Sequence, residues 1–101
     1  MKLLTEELRA QLPPLYGQEN ESDAMIYAKF FTPWTGWTWY VTEGSQQEED
    51  FIFFGYVIGF EGEWGYFSLN ELESVRGPGG LTIERDLHFT PKRRSEVSEI
   101  E

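Results

Sequence analysis

Phe51-Ile52-Phe53-Phe54-Gly55-Tyr56-Val57-Ile58-Gly59-Phe60 decides the fold. The run is rich in aromatic and β-branched residues and apolar at both parities, the pattern of a strand covered on two sides rather than one. Gly55 and Gly59 fall on the same face, where they leave room for a bulky neighbour or a helix, or else mark a bulge. Upstream, Gly44 to Asp50 (GSQQEED) reads as a solvated connection, preceded by Trp37 to Glu43 (WTWYVTE). There Trp37, Trp39 and Val41 share one face, and Thr38, Tyr40 and Thr42 the other. Pro33 and Gly36 break the chain before it, and Met25 to Thr32 (MIYAKFFT) is an earlier strand with Ile26, Ala28 and Phe30 on one side. Downstream, Glu61-Gly62-Glu63 turns into Trp64 to Ser68.

Two short helices frame these strands. Thr5 is placed to cap a helix with Glu6 and Glu7 in its first turn and Leu4, Leu8 and Leu12 on one face, stopped by Pro13-Pro14. Ser68 is placed to cap Leu69 to Val75, with Glu71 at the capping-box position, and Gly77-Pro78-Gly79-Gly80 stops that helix. Leu81 to Pro91 reads as an extended return. The expected fold is α+β: an antiparallel meander of four to five strands, a short N-terminal helix and a short helix after the fourth strand.

A chain of 101 residues has room for one hydrophobic core. Residues 1–91 are expected to form that single domain, and 92–101 a charged, disordered tail. Aromatic residues make up 17% of the chain, and each ring buries about 150–250 Å², so few core positions are needed. No apolar stretch approaches the roughly 20 residues of a membrane span. The start, MKLLTEE, turns acidic too soon for a signal peptide. Without cysteine there is no disulfide framework or thiolate zinc site. A cytoplasmic location is expected.

The runs LPPLYGQE (Leu12 to Glu19), WTWYVTE (Trp37 to Glu43), GYFSLNELESVRGPGG (Gly65 to Gly80) and LTIERDLHFTP (Leu81 to Pro91) resemble the bacterial family known as domain of unknown function 2958. The resemblance extends to about Pro91. It implies a small accessory protein of a bacterial mobile genetic element, and it carries no assigned catalytic or binding residue.

The net charge is −10, and no basic residue lies between Lys29 and Arg76. Nucleic-acid phosphate is bound by clustered Lys and Arg, which only Arg76, Arg85 and Lys92-Arg93-Arg94 would supply. Direct nucleic-acid binding is therefore not expected. The acids suit a basic protein partner, a cation or mimicry of nucleic acid, and they equally keep an aromatic-rich domain in solution. Glu48, Glu49 and Asp50 form the acidic loop, and Trp34, beside a turn, is expected to be partly exposed and suited to a protein interface.

The densest polar chemistry lies between Arg76 and His88. If residues 83–89 are extended, Glu84, Asp86 and His88 share a face, while Arg85 falls on the apolar side with Ile83, Leu87 and Phe89. Two carboxylates and an imidazole suit a divalent metal or acid–base chemistry. Ion pairs with Arg76 or Lys29 that pin the loop are the favoured account of them, because no recognised metal-ligand spacing is present. Ser68 is better explained as a cap than as a nucleophile, and the glycine loop lacks the lysine of a phosphate-binding loop. No catalytic residue, metal ligand or cofactor is assigned. The leading expectation is an interaction or regulatory module for a basic protein. The alternatives are a small metal-dependent enzyme using Glu84, Asp86 and His88, a nucleic-acid mimic, or a structural subunit.

Overall fold

The computed structural model describes residues 1–101. Helix α1 (Glu6–Gln11) is followed by strands β1 (Met25–Ile26), β2 (Ala28–Phe31), β3 (Thr38–Gln47), β4 (Asp50–Ile58) and β5 (Gly62–Ser68). Helix α2 (Leu69–Ser74) and strands β6 (Glu84–Arg85) and β7 (Lys92–Arg93) complete the chain. Five strands form one antiparallel sheet in the order β5-β4-β3-β2-β6, and β1 pairs with β7 in a separate two-stranded ladder. The fold is therefore α+β, with the meander running through β2 to β5.

The caps form where expected. Leu8 N–H donates to Thr5 Oγ1 at 3.2 Å, and Glu71 N–H donates to Ser68 Oγ at 3.2 Å. One face of the sheet presents Phe30, Trp39, Val41, Phe51 and Phe53 to Leu3, Leu4 and Leu8 from the N-terminal segment, Leu72 of α2, and Ile83. Phe30 meets Phe53 edge-on at 5.5 Å, and Phe67 stacks on Phe53 at 5.4 Å. Gly55 in β4 and Gly59 just past it both leave space for a neighbour: a Cβ on Gly59 would strike the Trp37 ring, and one on Gly55 would strike the Tyr40 carbonyl. Val75 departs from the expected leucine face of α2 and is exposed.

Two strands differ from their sequence reading. β3 runs on to Gln47, so most of the expected solvated connection is strand, and only Glu48 and Glu49 make the turn, Glu48 with φ of 56°. Val41 pairs with Gly55 and Glu43 with Phe54, leaving Thr42 without a partner as a β-bulge. Beside it, the strand expected over Met25 to Thr32 is broken at Tyr27. Ile26 accordingly packs with Tyr40 and Tyr56 on the second face, while Ala28 and Phe30 lie on the first.

The charged end corrects a further expectation. Residues 92–101 are held against the second face instead of forming a disordered tail. β7 pairs with β1, Ser95 donates from N–H and Oγ to the two Asp23 oxygens at 2.9 and 2.7 Å, and Val97 is buried with Ile26, Tyr40 and Tyr56. Charge content marked this segment as solvated, but Val97 and Ile100 are two apolar anchors three residues apart, enough to fasten a segment already paired at β7.

Candidate functional site

The loop between α1 and β1 is fixed by two residues that the sequence did not single out. Glu43, only 5% exposed, accepts Tyr16 N–H on Oε1 at 2.8 Å and Gln18 N–H on Oε2 at 2.9 Å. Gln18 Nε2 donates to the carbonyls of Met25 and Thr42 at 3.0 and 2.9 Å, and Gln18 Oε1 accepts Met25 N–H at 2.8 Å. The primary amide thus bridges β1 and β3 beside the unpaired Thr42. The run LPPLYGQE carries this function: glutamine is the side chain with both donors and an acceptor to span the gap.

The acidic residues do not form one band. Glu48 and Glu49 are exposed at the β3–β4 turn, Glu61 in the β4–β5 turn and Glu63 at the start of β5. These turns lie at opposite ends of the nine-residue β4, about 30 Å of strand apart. Glu43 is buried between them. Asp50 belongs to α2: it accepts from Ser68 Oγ, from Asn70 N–H at 3.1 Å and from Phe51 N–H at 2.7 Å. The Ser68 hydroxyl and then the Asn70 amide hold its carboxyl below the ordinary aspartate value. The acids that the sequence groups together are therefore divided between the two ends of β4, with Glu43 and Asp50 engaged within the fold.

Glu84, Arg85, Asp86 and His88 line an open cleft of about 460 Å³ at the β2–β6 edge, together with Lys29 and Thr38. Asp86 is already engaged: Oδ1 accepts His88 N–H at 2.9 Å and Oδ2 lies 4.0 Å from Lys29 Nζ. Of the two partners the sequence offered, Lys29 forms the ion pair and Arg76 does not. Instead, Arg76 Nη1 donates to the Glu73 and Val75 carbonyls at 2.7 and 3.0 Å, closing the end of α2. Arg85 pairs with Phe30 in register and so sits on the apolar face, as the alternation required, with Nε enclosed and unpartnered. Nowhere do three His, Asp or Glu side chains group as ligands for a metal ion.

An adjoining recess of about 310 Å³ holds Lys29, Asp86 and His88 again, now with Tyr40 and Glu99. Tyr40 donates its hydroxyl to Glu99. Burial first, and then this hydrogen bond, push the phenol above its ordinary value.

Trp34 is partly exposed, as expected beside a turn; its buried side packs on the first core, and a Cβ on Gly77 would run into its ring. The most exposed aromatic is Phe60, 97% accessible just past β4 and edge-on to Trp37 at 5.8 Å. Around it Trp37, Val57, Gly59, Glu61 and Glu63 form an open depression of about 500 Å³. Sequence alternation assigned Phe60 to the buried run; its position at the strand end, next to Glu61-Gly62-Glu63, was the available sign that it lies in a turn.

Fold and surface together define a small α+β domain whose antiparallel sheet ends in an acidic, aromatic hairpin. The chain belongs to the family described as "Protein of unknown function (DUF2958)", which matches residues 3–99. No curated protein and no solved structure matches it. No helix is long and apolar enough to cross a membrane.

Proposed function

We propose that this protein is an interaction module that binds a basic protein through its β4–β5 hairpin, acting as a cytoplasmic accessory protein of a bacterial mobile element. The observation that carries the reading is Phe60: a phenylalanine 97% exposed, braced by Trp37 and flanked by the exposed Glu61 and Glu63. Leaving such a ring in water forgoes burial worth about 1.5–3 kcal/mol. Aromatic anchors beside charged residues are the composition of interface hot spots, and aromatic faces attract Lys and Arg. The resemblance to small mobile-element proteins supports the cellular setting.

The test is affinity capture from the bacterial host with identification of the captured protein. Phe60→Ser and the pair Glu61→Lys, Glu63→Lys should each abolish capture of the wild-type partner. Reversal of Glu48 and Glu49 at the opposite end should leave it intact. Loss on reversing Glu48 and Glu49, with the hairpin variants unaffected, would transfer the interface to the other end and refute this reading.

A further inference from the structure

We propose that the outer edge of β5 is a strand-addition site for an extended, Lys- or Arg-bearing segment of the partner; this rests on the interaction-module reading and extends it. β5 is the outermost strand of the sheet over seven residues, Gly62–Ser68, whereas the opposite edge ends in the two-residue β6. Its pairing with β4 is continuous from Ile58 opposite Gly62 to Ile52 opposite Ser68, with no bulge. Outside the β4–β5 ladder, no backbone hydrogen bond reaches residues 62–67. One side of the strand therefore presents free N–H and C=O groups to solvent.

Natural edges of this length are normally blunted by lysine, proline, a bulge or a covering segment. β5 has no lysine and no proline, its ladder with β4 carries no bulge, and Gly65 at its middle has no side chain of its own. Glu63 is its one charge, and Glu61 stands just before it. That charge selects the occupant. A second copy would bring two chains of net charge −10 together, whereas a cationic strand gains attraction on approach.

The side chains fit the same occupant. On one face, Trp64 already carries a cation, with the Arg94 guanidinium 5.2 Å from its ring centroid. Tyr66, on the same face, is 53% exposed and has no such cation over it. An incoming strand would place alternate side chains beside Tyr66 on that face and beside Glu63 on the other. Both positions favour Lys or Arg, while main-chain bonds to the free edge supply affinity independent of sequence.

The probe is a capped heptapeptide, Lys-Val-Val-Lys-Val-Val-Lys, which carries Lys on both faces of an added strand, compared with a Glu/Val version and a Lys/Val version N-methylated at alternate amides. Amide exchange and chemical shifts are followed on the isotope-labelled full-length protein. The Lys/Val peptide should slow exchange of amides within residues 62–67 by about tenfold. N-methylation and Glu63→Lys should each weaken binding by about tenfold, and the Glu/Val peptide should not bind. Equal binding by the N-methylated peptide overturns strand addition. So does exchange that slows without peptide as protein concentration rises, which would assign the edge to a second copy. Shifts confined to Phe60 and Glu61 would refute the edge site while leaving the hairpin interface standing. No binding by any cationic peptide, with host capture insensitive to the hairpin variants, would remove both.

Discussion

Glu43 and Tyr16, 27 residues apart, are joined by a 2.8 Å hydrogen bond from the Tyr16 amide to a carboxylate buried at the sheet bulge. The other oxygen takes the Gln18 amide, so one side chain closes the loop over the sheet. Glu43→Gln should destabilise the protein by about 1–3 kcal/mol, because the new NH₂ group must face an N–H donor and one buried group goes unsatisfied. Urea unfolding measures this. A change below about 0.5 kcal/mol would show that the loop does not depend on the carboxylate.

Ser68→Ala removes the cap of α2 and should cost about 1 kcal/mol. It also removes the hydroxyl that holds Asp50 ionised. Because the folded Asp50 value lies below its ordinary 3.8, this contribution is complete above 3.8 and is lost as pH falls through the folded value. The variant should therefore lose less stability than the wild type on acidification below that point. Parallel acid-unfolding curves would count against the Asp50 contact.

Tyr40 offers the alkaline counterpart. Its folded value is raised above 10.0, so its contribution is full below 10.0 and disappears as pH rises through the folded value. In a carbon-13 titration, the Tyr40 ring should remain protonated at about pH 11. Glu99→Gln should shift its midpoint down. Truncation after Pro91 should shift it further by uncovering the ring, and should also expose Ile26 and Tyr56. An unchanged midpoint in the truncated chain would contradict the packing of the C-terminal segment.

Gly55 and Gly65 are paired across β4 and β5 yet should respond oppositely to alanine. A Cβ at Gly55 meets the Tyr40 carbonyl, so Gly55→Ala should separate β3 from β4 and cost more than 2 kcal/mol, on the order of an overpacked core. At Gly65 the space is open, and Ala should be neutral or stabilise by about 0.4–1 kcal/mol. Thermal melts of the two single variants are sufficient. Similar losses in both would refute the register.

The meander, its caps and the first core were legible because local signals agreed: alternation in WTWYVTE, two-sided hydrophobicity in the run from Phe51, and Ser68 ahead of a leucine repeat. The β3 extension was hidden because Ser45, Gln46 and Gln47 are polar, and hydrogen bonding to β4 overrides their preference for a loop. The Glu43–Gln18 contact joins residues far apart in the chain, and nothing in either neighbourhood announces it. Composition also hid the surroundings of two residues. It grouped Glu48, Glu49 and Asp50 as one acidic loop, where the fold uses Asp50 as a helix cap and leaves Phe60, read as core, in solvent.

The unpaired Thr42 has a consequence for comparing this chain with its relatives. Before it, odd-numbered residues of β3 point toward the helices; after it, even-numbered ones do, as Trp39 and Gly44 opposite Val57 and Phe53 show. Thr42 thus acts as a frame marker. An alignment that lets a gap slip across it would exchange inside for outside along the rest of the strand. Buried Glu43 would then be read as a surface acid.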